Sequence, residues 1–94
     1  IKSIYFLLNV QSEIIIKVGI LDNDIVGNRK TKNVENGEII VARIEDEVTL
    51  KRFKKDNKGI RLVAENQSFS DIQIDEHSNF SVEGRAVGII REDI

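Results

Sequence analysis

Two β-branched runs, "GEIIVARI" (37–44) and "EVTLKRF" (47–53), are separated by only Glu45 and Asp46. They read as strands flanking a charged turn, because β-branched and aromatic side chains fit a pleated, half-buried surface. The pattern repeats along the chain. "IYFLLNV" (4–10) is a short apolar run, and "KKDNKG" (54–59) is a tight turn in which Asn57 and Gly59 can take positive φ. "IRLVAE" (60–65), "IQID" (72–75) and "FSVEGRAVGIIR" (80–91) follow as further strands, the last two separated by the polar stretch "DEHSN". In the last of these, Phe80, Val82, Gly84 and Ala86 alternate with Ser81, Glu83 and Arg85, a half-buried pattern that gives way to "AVGII" and suggests cover on both faces. Only "SEIIIKVGI" (12–20) has the makings of a helical turn, weakened by its glycine and its β-branched run. With no proline, no repeat and no low-complexity tract, the 94 residues predict one domain, 1–94, that is mainly β.

Composition narrows the function. Hydrophobic residues at 40% and charged residues at 32% place the chain with globular domains. A net charge of −2 argues against a general electrostatic hold on nucleic acid or on an acidic lipid surface. No apolar run reaches the length of a membrane span, so no membrane partner is expected. The absence of cysteine leaves no disulfide or thiolate metal site and fits a cytoplasmic protein. The chain has no methionine, not even an initiator, and so reads as a fragment or processed product with further sequence before Ile1.

Candidate binding motifs weigh against themselves. "DNDIVGN" puts Asp22, Asp24 and Gly27 at the first, third and sixth positions of a calcium loop, but Val26 and Asn33 fall where oxygen ligands are required. A turn with Asp and Asn side chains bonded to the backbone is the better reading. The lone His77, in a polar loop with Asp75 and Glu76, has neither a second histidine nor a cysteine to share a metal. No metal or cofactor is expected. Lys51, Arg52, Lys54, Lys55 and Lys58 lack interleaved aromatics beyond Phe53 and lie near Glu45, Asp46 and Glu47 in sequence, so they read as a solvated hairpin tip. Lys51 shares a strand face with Thr49 and Phe53. A strand lysine ordinarily snorkels to water, whereas one turned inward is pushed toward its neutral form and can deprotonate a serine.

"GILDND", "KTKNVENGEIIVARIEDEVTLKRFKK", "LVAEN" and "FSVEGRAVGIIR" together resemble the C-terminal domain of LexA-type repressors, shared with UmuD and lambda-type phage repressors. The likeness runs from about Phe6 to Arg91. It implies the β-rich, signal-peptidase-like fold of strands and hairpins of a self-cleaving serine–lysine peptidase, which dimerises the repressor of the SOS response. Full-length relatives carry an N-terminal DNA-binding domain, then a linker cut at an Ala-Gly bond when RecA filaments form. The family's general-base lysine falls on Lys51. Its nucleophile, in a "V-S-G-M-S-M" stretch, falls on Ile14 of "VQSEII", and Ser12 falls where the family has glycine. Isoleucine cannot attack a carbonyl. Ser12, two residues upstream on an extended chain, would be displaced by about 6–7 Å.

The resemblance thus implies a dimerisation domain whose nucleophile is lost. Two alternatives stand beside it: an active self-cleaving peptidase, and a UmuD-like accessory subunit of a DNA polymerase. Smaller departures from the family are "DND" for "D-G-D", and Ala64 and Asp71 where it has proline. As a terminal strand, 80–91 would be an exposed edge unless paired, which predicts a homodimer there. Gly84 and Gly88 would admit the partner backbone, and Arg85 would sit at the rim or meet Glu83 of the partner subunit.

Overall fold

In the computed structural model the described residues are 3–11, 19–64 and 71–92. They form one antiparallel seven-stranded sheet. The strands are β1 (Tyr5–Asn9), β2 (Ile25–Lys30), β3 (Ile39–Ile44), β4 (Glu47–Asp56), β5 (Gly59–Val63), β6 (Ile72–Ile74) and β7 (Phe80–Ile90), in the spatial order β1-β2-β7-β3-β4-β5-β6. Among the described residues no helix is long and apolar enough to cross a membrane.

Six of the strands lie where β-branched runs predict them. The exception is β2, inside the stretch "IVGNRK", where Gly27 and Asn28 disguise a strand by their low β propensity. Local turn chemistry behaves as the residues suggest. Asn23 takes φ 70, and Gly59 takes φ 119 in the β4–β5 turn, where Asp56 Oδ1 accepts the Lys58 N–H. Asn57 keeps negative φ, so only Gly59 of that expected pair is used, while Glu45 turns the β3–β4 connection at φ 55.

The last strand is not an edge. β7 lies between β2 and β3, because the unforeseen β2 pairs with one side of it while β3 takes the other. The two neighbours do not run its full length: the β3 register ends at Ile40↔Arg85, and β2 alone among the strands continues to Ile90. Nor is the "AVGII" end covered on both faces within one chain, since Val87, Ile89 and Ile90 are 54%, 43% and 54% exposed.

Two apolar cores lie on opposite faces of this sheet. Val10, Ile20, Val26, Val41 and Leu50 form the first, with Phe6, Leu8, Ile39 and Ala86 packed on it. Ile40, Ala42, Phe53 and Leu62 form the second, completed by side chains from β5, β6 and the start of β7. Adjacent residues such as Val41 and Ile40 serve different cores because side chains alternate across a strand. Val82 and Ala86, four apart, would share a face on a regular strand, yet they too serve different cores. The register shift opposite Val41/Ala42 leaves Glu83 as an extra residue and turns the strand over between them.

Gly84 sits at that crossing. A Cβ there would lie 2.6 Å from the Arg29 carbonyl oxygen and 2.8 Å from the Phe6 ring, so backbone and aromatic ring already occupy the space once reserved for a partner chain. Gly84→Ala is therefore expected to destabilise the fold by about 1–3 kcal/mol through overpacking. Gly88→Ala, which meets nothing within 4 Å, should stay within about 0.5 kcal/mol. Urea unfolding of the two variants side by side checks both values.

Candidate functional site

Lys51 occupies the middle of β4, directly opposite Ile40 of β3. It is half-buried, on the strand face that includes buried Phe53, while its neighbour Leu50 points through the sheet into the first core. Ser12 and Ile14 fall in 12–18, outside the described residues, as does most of the stretch read as a helical turn. The residues that bracket this segment are described. Val10 before it and Ile20 after it are each 2% exposed and pack in one cluster with Leu50. Both flanks of the segment therefore belong to the core that also holds Leu50, the residue next to Lys51.

The bracket is hydrogen-bonded as well as packed. The Val10 N–H donates to the Asp24 carbonyl at 2.8 Å, and the Asn23 N–H donates to the Val10 carbonyl at 2.8 Å. Asp24, with a side chain 2% exposed, accepts the Leu21 N–H at Oδ2, 2.8 Å. It also accepts both arms of an Arg91 fork, Nε to Oδ1 at 2.8 Å and Nη2 to Oδ2 at 2.7 Å. Arg91 Nη2 reaches the Gly19 carbonyl at 2.7 Å too. A guanidinium matches a carboxylate in two parallel bonds, which fixes orientation as well as charge. Thus the residue that follows β7 ties down the turn leading out of the segment.

These bonds set the electrostatics. The Arg91 fork, then the Leu21 N–H, lower the Asp24 carboxyl from its ordinary 3.8 to about 2 against the opposing effect of burial. The Asp24 side chain is thus spent on turn and strand, as an Asx-type turn reading allows. Glu83 is likewise lowered, first by the Ser81 hydroxyl and then by Arg43. Within the chain Glu83 pairs with Arg43 at 3.1 Å and Arg85 with Glu38 at 3.4 Å. His77 stands in a surface turn, its own N–H bonded to Asp75.

Sequence reasoning singled out Lys51 but missed the Asp24–Arg91 pair. Asp24 looked like part of a failed calcium loop, and nothing local signals a partner 67 residues away. A carboxyl lowered on folding contributes stability that is complete above its unfolded value and lost as pH falls through its folded one. The Asp24 contribution should therefore be intact above about pH 4 and vanish toward pH 2. Asp24→Asn is expected to unfold more readily at neutral pH and to lose less stability than the parent between pH 4 and 2. Thermal melts across that range would show it.

Comparison with known proteins extends this geometry. The family model for Peptidase S24-like proteins matches residues 1–87. The LexA repressor of Proteus mirabilis is 53% identical over 87 residues, which are 92% of this chain and 43% of that protein. That of Providencia rettgeri is 49% identical over 87 residues, 92% of this chain and 42% of that protein. The LexA repressor of Saccharophagus degradans is 49% identical over 92 residues, 95% of this chain and 46% of that protein. The chain thus spans less than half the length of these relatives. An all-antiparallel sheet, the family match over residues 1–87 and likeness to LexA repressors at about half of the aligned positions agree: this chain belongs to the Peptidase S24-like family.

Proposed function

We propose that the chain is the C-terminal dimerisation domain of a LexA-type repressor and that it does not cut itself. One observation carries the second half of this reading: position 14, where the resemblance puts the family's nucleophile, is isoleucine. Isoleucine has no group that can attack a carbonyl or bond to Lys51. Lys51, half-buried on β4, keeps the place of the general base with no hydroxyl at position 14 to deprotonate. Loss of the nucleophile in a serine protease costs on the order of a millionfold in turnover.

What remains is pairing. A dimer aligns two DNA-binding domains with a two-fold operator. The exposed apolar end of β7, where β2 alone among the strands runs beside residues 86–90, supports a two-fold contact there. By resemblance, the DNA-binding domain and the cleavage segment precede this domain, and a RecA filament is the signalling partner.

Full-length protein incubated at alkaline pH, or with RecA activated on single-stranded DNA, is expected to stay intact by mass spectrometry. A discrete cut upstream of Ile1 would instead favour an active peptidase, with Ser12 the first residue to replace. Ile14→Ser is expected to gain cutting that Lys51→Ala abolishes. For the pairing, analytical ultracentrifugation across micromolar concentrations should give a dimer for the parent chain and a monomer for Val87→Asp. A parent that remains monomeric, or a variant that dimerises equally well, rules out the β7 contact.

A further inference from the structure

The fold separates the basic hairpin from the acidic residues 45–47 that lie near it in sequence. Glu45 and Asp46 form the turn before β4 and Glu47 begins it, whereas Lys54 and Lys55 are at its far end. Seven residues of extended strand separate Glu47 from Lys54, about 23 Å. That is more than twice the ~8–10 Å over which salt screens a charge at physiological strength. The acidic turn cannot neutralise the hairpin.

The register then concentrates positive charge on one face. Lys54 stands directly opposite Arg61 across β4 and β5, and Arg52 lies two residues back on the same face. Lys58 adds a fourth cation in the turn. Among the described residues, none of Lys54, Lys58 and Arg61 has an ion pair. Two nearby carboxylates form backbone hydrogen bonds and no ion pair with these cations: Asp56 accepts the Lys58 N–H, and Asp71 accepts the Ala64 N–H. Like charges directly opposed across a ladder are destabilising. Edge protection, a common reason for strand lysines, does not apply, since β4 and β5 are both interior strands covered by β3 and β6.

The face lies opposite the second core and carries no aromatic side chain: its other members are Val63, Asp56 and Gln73. A protein partner would need a buried aromatic or apolar anchor. Phosphate oxygens need only cations, and contacts to them position a protein without reading bases.

We propose that Arg52, Lys54, Lys58 and Arg61 form a secondary contact for the phosphodiester backbone of duplex DNA, engaged when the domain is held near DNA by another part of the protein. Its biological meaning rests on the repressor reading; the contact itself does not. Two or three phosphate contacts are weak in free solution, but tethering raises the effective concentration into the millimolar range. The acidic groups Glu45, Asp46 and Glu47 lie beyond the screening length from Lys54, and Asp56 is the carboxylate that shares the face with the four cations.

The test uses the 94-residue chain and a fluorescein-labelled duplex of arbitrary sequence, so that it succeeds or fails whether or not the protein is a repressor. Fluorescence anisotropy at 20–200 mM salt (a range of about one decade) should show weak binding with a log–log salt slope of about −2 to −3. Lys54→Gln/Arg61→Gln should bind about tenfold more weakly or worse at the lowest salt and lose about two from that slope, with no loss of thermal stability. Lys30→Gln/Lys32→Gln removes the same charge elsewhere and should leave the binding unchanged. Absence of binding at the lowest salt, equal weakening in both double variants, or displacement of the duplex by an equal concentration of a glutamate-rich peptide would each overturn the proposal. The last outcome would reassign the face to an acidic protein segment.

Discussion

Everything in this sheet depends on the hydrogen bonds along the two sides of β7. The β1–β2 pair and the β3-to-β6 meander have no other strand in common. Remove β7 and two small sheets remain, each with an apolar face open to water. Its two bulges matter as much as its pairing. The one at Glu83 lets a single strand contribute Ala86 to one core and Val82 to the other, which a regular period of two would forbid. Gly84 is needed there because the Phe6 ring and the Arg29 carbonyl leave no room for a Cβ.

The candidate site is an outgrowth of this arrangement. Arg91 continues directly from β7, and its fork on Asp24 holds the turn that follows 12–18. Val10 and Ile20 anchor the two flanks of that segment in the first core, which includes Leu50, while Lys51 takes the next position of the same strand. Sheet, turn and lysine are therefore mechanically joined through side chains that are not themselves reactive. Among the described residues, the support for this turn comes from Asp24, Arg91 and the first core.

Most of the strands were legible because their β-branched runs are long and their turns carry Asn, Asp or Gly. β2 was not. Its Gly27 and Asn28 flank a register shift and have low β propensity, so the local residues speak against the strand that tertiary pairing imposes. Missing β2 also misplaced β7, since a strand cannot be recognised as central until its second neighbour is known. Of the site, Lys51 was visible only through the family pattern, as its alternation alone fits a snorkelling lysine equally well. The Asp24–Arg91 fork was invisible for a simpler reason: residues 67 apart leave no periodicity to read. The charge on the β4–β5 hairpin was legible in composition but not in distribution, because strand length converts a short sequence interval into a distance beyond screening.

The central position of a strand so late in the chain has a kinetic consequence. During synthesis, β1 can pair with β2, and β3 with β4 and β5, through turns that close quickly. The two halves cannot be joined until residues 80–90 have emerged, and the contacts that join them span most of the chain. Such long-range pairing makes folding slow relative to chains of the same size with local contacts. Until it is complete, the inner edges of β2 and β3 stand open, each a template for strand exchange with a neighbouring chain. Accurate assembly of this domain is therefore governed less by the strength of its cores than by how soon its last long strand arrives.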